Sequence, residues 1–400
     1  MSWKLARPRL GLRAGVLLLA LAGLLACSFI PIPRGNTADP VSQQIGALRT
    51  GSAAERSAAA TELARLAGKD TAGVVPALTQ ALQDNDPGVR LSAVSALHVV
   101  TPDTPQAREA AAALIATLRD ADPRVRAQAA GILSTLKPDP KLALPQLISA
   151  ASPEADAPAA GSTSAAPAAG SVTARDLIDR SQRGHARASA VTALGVLGAH
   201  DPEVQRTLVA LADDAVPEVR MVVARVLGEI GPETAGAFAA ERKLTSDPDL
   251  YIQARAITAL GNFPGDHVAS CPLLYRAYLS KQRPLQEGAE LSLEKIIKSK
   301  QFNASAARQG KDAALRFAAT FGLNPNSDAG FQALVQTLKD DDPGVRIMAA
   351  SKLARVSSSR TDVAFKALES LADDKDADVR DQMHRSLAGL TPKPSRPSGQ

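Results

Sequence analysis

The sequence predicts an all-α fold, an α-α superhelix (solenoid) of about ten helical hairpins, on three observations. First, a unit made of an acidic run, Asp-Pro and an amphipathic segment recurs along nearly all of the 400 residues. Lys339 to Val356, KDDDPGVRIMAASKLARV, is its clearest copy. Second, an Arg followed by Leu seven residues on occurs at Arg56/Leu63, Arg90/Leu97, Arg126/Leu133, Arg187/Leu194, Arg220/Leu227, Arg316/Leu323, Arg346/Leu353 and Arg380/Leu387. Gln takes the Arg position at Gln253/Leu260 and Gln286/Leu293. Third, successive positions lie 30 to 36 residues apart, with one gap of 61 between Arg126 and Arg187. A fixed period of that length, built from two helices, marks a solenoid. Each hairpin carries an apolar face it cannot bury alone, so neighbours must stack into one core.

Within a unit, Phe331 to Leu338 is amphipathic and reads as the first helix. Asp342-Pro343 then starts the second, because Asp is a good N-cap and Pro suits the first helical position. Val345, Ala349 and Leu353 follow at helical spacing. The tryptophan, tyrosine and proline signature of tetratricopeptide repeats is missing, and so is the TPLH turn of ankyrins. The pattern Leu-x-x-x-Leu-x-Asp-x-Asp-Pro-x-Val-Arg-x-x-Ala-x-x-x-Leu, clearest at 78–97, 114–133 and 334–353, resembles HEAT repeats. It is most similar to the short HEAT-like repeats of the phycobilisome-lyase type. The resemblance covers about residues 40 to 390 and implies a fold; such repeats serve many roles.

The chain opens with Lys4, Arg7, Arg9 and Arg13, with no acid, and then an apolar run from Ala14 to Ala26. A basic head, a short apolar body and a small residue before the cut are the parts of a secretory signal, expected over residues 1–26. The body is shorter than the ~20 residues a spanning helix needs. Leu24-Leu25-Ala26-Cys27 resembles the lipobox of bacterial lipoproteins, which implies lipidation at Cys27 and a bacterial cell-envelope location. Ser28 after the Cys suggests, by the same resemblance, the periplasmic side of an outer membrane. Residues 27–40 are Pro-rich and read as a tether. Residues 41–390 are the expected solenoid, interrupted at 152–174 by an Ala/Pro/Ser/Gly-rich insertion whose composition predicts disorder inside one hairpin. Residues 391–400 read as a disordered tail.

Loss of residues 1–26 removes four positive charges, so the net charge of +5 falls to +1. A nearly neutral chain is a poor nucleic-acid binder. After lipidation only Cys271 would remain a free thiol, and with no disulfide framework stability must come from packing. Cys271, beside Pro272 in an apolar segment, reads as a buried thiol. The five histidines (His98, His185, His200, His267 and His384) are scattered and none precedes Glu. That departs from the His-Glu iron ligands of deoxyhypusine hydroxylase, an enzyme built on similar repeats. No HExxH, CxxC, GxSxG, Walker loop or GxGxxG is present. The chain is therefore expected not to be an enzyme, and no cofactor, metal or small-molecule substrate is called for.

The repeated arginines, set beside acidic turns at Asp84/Asp86, Asp120/Asp122, Asp213/Asp214, Asp340–Asp342 and Asp373/Asp374, are expected to form a structural ladder between neighbouring hairpins. Arg suits this better than Lys because its planar fork grips a carboxylate with two bonds. Partner contacts are expected in two places. Positions two and five after the ladder residue should line the groove: Ser189, Thr192, Val222, Arg225, Arg255 and Thr258, suited to an extended, mildly acidic protein segment. Residues 276–316 hold nine basic side chains against four acids, among them Arg276, Lys281, Arg283, Lys295 and Lys298. The surrounding segment 238–331 has most of the aromatics, expected mainly as core. These features read as a lipid-anchored scaffold or adaptor for unidentified protein partners. The alternatives are a HEAT-like lyase- or hydroxylase-type enzyme or maturation factor, and a binder of anionic envelope lipid or polysaccharide.

Overall fold

The computed structural model describes residues 39–66, 73–156 and 173–390. Its described residues form twenty α-helices, paired into ten hairpins. Hairpins one to three are α1 (Pro40–Thr50) with α2 (Ala53–Leu66), α3 (Val74–Ala81) with α4 (Pro87–Ala96), and α5 (Pro105–Thr117) with α6 (Pro123–Leu136). Four to six are α7 (Pro140–Ala151) with α8 (Ala174–Leu197), α9 (Pro202–Leu211) with α10 (Pro217–Ile230), and α11 (Ala237–Leu244) with α12 (Leu250–Ala259). Seven and eight are α13 (His267–Leu279) with α14 (Arg283–Lys298), and α15 (Ala304–Gln309) with α16 (Ala313–Phe321). Nine and ten are α17 (Asp328–Thr337) with α18 (Pro343–Leu353), and α19 (Thr361–Glu369) with α20 (Ala377–Leu390).

The Asp-Pro motif works as its chemistry dictates. Asp86, Asp122 and Asp342 accept hydrogen bonds from backbone N–H groups in the first turn of α4, α6 and α18, and each is followed by Pro. Asp249 and Asp312 cap α12 and α16 without a proline. Two leucine positions then carry the core. Leu78, Leu114, Leu208, Leu274, Leu334 and Leu368, on the first helices, are each fully buried. So are Leu63, Leu133, Leu194, Leu227, Leu293 and Leu353 on the second helices, and Leu97 and Leu260 in the 3-10 turns that end α4 and α12. Full burial of one such side chain is worth roughly 1.5–3 kcal/mol. In hairpins one to six the second helices pack along one another while the first helices touch more sparingly. Closer packing on the second-helix side is what, in a stack of hairpins, makes that side the inner face. Small residues allow the approach: a side chain at Gly195 would collide with Val226, and one at Gly228 with Ala259.

Two regions depart from the expected pattern. The insertion's edges are ordered: Pro153–Asp156 is a 3-10 turn, and α8 begins at Ala174 behind a reciprocal Thr173–Asp176 capping box. The helix therefore starts thirteen residues ahead of Arg187, where α4, α6 and α10 start three ahead of theirs, and its added turns leave Leu177 and Ile178 exposed. The expected disorder of the insertion falls on residues 157–172, outside the described residues, as do the signal, Cys27, most of the tether and the tail. In hairpin eight, α15 has only six residues. Hairpin seven consequently reaches hairpin nine directly, and Tyr275 Oη donates to Asp342 Oδ1 at 2.8 Å. Among the described residues, no helix is long and apolar enough to cross a membrane.

Candidate functional site

The repeated arginines build one geometry several times over. Arg90 donates from Nη1 to Asp84 O of its own turn at 2.8 Å, and from Nε and Nη2 to both Asp120 oxygens of the next hairpin at 2.7 and 2.8 Å. Arg56 pairs with Asp84, Arg187 with Asp214, Arg220 with Asp247, Arg316 with Asp340 and Arg346 with Asp374 in the same sense. Each acceptor stands six residues before the next ladder position, and a backbone N–H two residues on also bonds it, as Asp86 N does Asp84. The Arg56 guanidinium holds the Asp84 carboxyl below the usual range. At Asp247, Asp340 and Asp374 burial opposes the charged form, but the arginine and the turn amide outweigh it and the carboxyls stay low. Arg126 bonds its own turn through Asp120 O and Ala121 O, among other contacts. Arg380, in the last described hairpin, bonds Asp374 O.

The two Gln departures are explained by the same geometry. The residue six before the next ladder position is Ser280 for Gln253 and Gly310 for Gln286. With no carboxylate to meet it, a guanidinium there would lack its anionic partner. Gln keeps only the inner half of the contact, Gln253 Nε2 donating to Asp247 O and Gln286 Nε2 to Ser280 O. Arginine and aspartate are lost together.

The groove residues expected from the sequence come together only in part. Arg225 Nη2 donates to Thr192 Oγ1 at 3.1 Å and Nη1 to Glu229 at 2.9 Å, so this arginine bridges hairpins four and five. Thr192 and Thr258 hydroxyls donate to carbonyls of their own helices, Ala188 O and Ala254 O. Ser189 and Val222 are partly exposed, and Arg255 is exposed. Several members of the basic set at 276–316 have partners. Arg283 pairs with Glu287, Lys298 with Glu294 and Lys281 with Asp378, while Lys295 Nζ donates to Asn262 Oδ1 and Arg276 to its own helix at Pro272 O. Most aromatics of the segment are core: Phe263, Phe302, Phe317 and Phe331 are buried, and Tyr251 is the exposed exception at 67%. Cys271 is fully buried, and burial pushes its thiol up to about 12, so it is not poised as a nucleophile. Among the described residues no group of three or more His, Cys, Asp or Glu is placed to hold a metal ion.

What sequence reasoning missed is a pit of about 620 Å³ where hairpins seven, nine and ten meet. Tyr278, Lys281, Gln286 and Glu290 line it from hairpin seven, Gly344 and Ile347 from hairpin nine, and Asp378, Asp381 and Arg385 from hairpin ten. Nearby, Lys352 Nζ lies 5.2 Å over the Phe321 ring, and burial pulls its ammonium down. The pit exists because α15 is short. The signal that could have located it is the paired loss at Gln286 and Gly310, next to Tyr275 and Tyr278.

HEAT-repeat family models match residues 173–242 and 301–388, and a second HEAT-repeat model matches 74–104. No curated protein matches the chain. Among solved structures, the chain is similar to an engineered protein (18% identity over 88% of this chain and 99% of that one, TM-score 0.42). It is also similar to the karyopherin Kap121p (15% identity, TM-score 0.46), of whose length it covers 37% while 88% of this chain is aligned. A third likeness is to the complex of CpcE and CpcF of phycocyanin lyase from Nostoc sp. (22% identity over 68% of this chain and 94% of that one, TM-score 0.36). At these identities the likeness concerns the fold alone.

Proposed function

We propose that this HEAT-type solenoid is a non-enzymatic scaffold, lipid-anchored at Cys27 in a bacterial envelope, that seats a partner protein against its inner face. One observation supports this most. The repeated arginines are committed inside the stack, which stiffens it, while the inner face and the pit beside Glu290 and Asp381 stay open to solvent. A stiff surface of this kind loses little conformational entropy when it binds. The anchor rests on the sequence features before Cys27. The test is affinity purification from detergent-solubilised envelope with the intact chain, the unanchored Cys27→Ala variant, and two surface variants, Arg225→Glu/Arg255→Glu and Glu290→Lys/Asp381→Lys. A partner retained by Cys27→Ala, confirmed with purified components, and lost by one surface variant supports the reading and locates the face. A colourless, partner-free protein, or purified protein carrying iron or a bilin-like absorbance, overturns it; the latter points to the lyase- or hydroxylase-type alternative.

A further inference from the structure

In six first helices the residue twelve positions before the ladder residue is a fully buried leucine: Leu78, Leu114, Leu208, Leu274, Leu334 and Leu368. In hairpin six the same position, twelve before Gln253, is Glu241. Its side chain is fully buried like theirs, and neither carboxyl oxygen makes a well-formed hydrogen bond to another protein group. A buried, unpaired carboxylate costs several kcal/mol, so such a group takes up a proton instead.

The surroundings agree. Glu241 lies on α11, packed against α10, α12 and the 3-10 turns Gly231–Glu233 and Leu260–Asn262. Of the charged groups on these elements, Arg255 of α12 is the one that acts on it; burial outweighs Arg255 and the nearby Gly228 backbone and keeps the carboxyl well above its ordinary range. On α10, Glu229 is turned to Arg225, Arg220 to Asp247. Glu233 of the first turn lies beside His200, and on α11 itself Lys243 is turned to Asp213. Gly228 and Ala259 touch so closely beside Glu241 Oε1 that a single added methyl would collide. The seam between α10 and α12 has no room for a hydrated carboxylate.

We propose that Glu241 is a proton-controlled latch on the seam between hairpins five and six: protonated, it lets α10, α11 and α12 close on one another; ionised, it forces them apart and changes the curvature of the stack. The sign follows from linkage. The closed seam holds the proton to higher pH than the open one, so closure is complete below the ordinary carboxylate value of 4.5 and weakens as pH rises through the value in the closed seam. Over that interval the opening equilibrium grows about tenfold per pH unit.

Amide hydrogen exchange of the full chain between pH 5 and 9 tests this, in wild type and in Glu241→Leu, which restores the residue of the other hairpins. The ratio of wild-type to variant rates cancels the intrinsic base catalysis. For amides of α10, α11 and α12 that ratio is expected to climb with pH, by up to about tenfold per unit until the closed-seam value is passed, while for α4 and α6 it stays near one. Glu241→Gln, with the same shape and no charge, serves as the reference if leucine disturbs folding, and it should remove the same pH dependence. A flat ratio in α10–α12, or an equal climb throughout the stack, overturns the proposal.

Discussion

Hairpins four to six and hairpins six to eight are held together by different chemistry. In the first group a charged rung crosses each junction at the front of the second helix: Arg187 to Asp214, then Arg220 to Asp247. At the junction of six with seven the rung is gone, and a clasp at the back of the helix replaces it. Ser292 Oγ accepts from Gly261 N at 2.9 Å and donates to Ile257 O at 2.6 Å. Aromatic packing then fills hairpins seven and eight, with Phe317 meeting Tyr275 and Tyr278 edge-on at 5.1 and 5.2 Å. At the two junctions where Gln stands in the ladder both members of the charge pair are gone, and at the first of them neutral hydrogen bonds take over. A guanidinium or a carboxylate left alone in these part-buried turns would be the worse outcome.

Breaking a rung should have the largest effect. Arg187 and Asp214 have side chains only 3% and 1% exposed, so Arg187→Ala strands a buried carboxylate and is expected to lower unfolding free energy by about 3–5 kcal/mol, read from denaturant midpoints. Breaking the clasp comes next. Ser292→Ala removes the acceptor of the buried Gly261 N–H and should cost roughly 1–3 kcal/mol. If it costs nothing measurable, the clasp does not replace the rung. Rebuilding the rung is the finest test. Gln253→Arg alone should destabilise and Gln253→Arg/Ser280→Asp should recover, with a coupling of about 0.5–3 kcal/mol in a double-mutant cycle. Zero coupling would mean that the backbone at Ser280 has drifted out of ladder geometry.

The chain by itself determined the repeat. Asp-Pro caps, leucines at helical spacing and an Arg at a period of 30 to 36 residues are local signals, and local signals are enough to place hairpins and predict that they stack. It also marked the ladder, because Arg and Asp recur at matching offsets. Which Asp each Arg meets, and why Gln stands at 253 and 286, became plain only with neighbouring hairpins in contact. Lys281 and Lys295 likewise meet Asp378 and Asn262, residues of other hairpins that no local pattern pointed to. The pit between hairpins seven, nine and ten depends on how far the short α15 lets two distant helices approach, and the isolation of Glu241 depends on what surrounds it on every side. A sequence period records what each unit needs from its neighbour, whereas contact across a shortened unit and the solvation of one side chain are set by the assembled core.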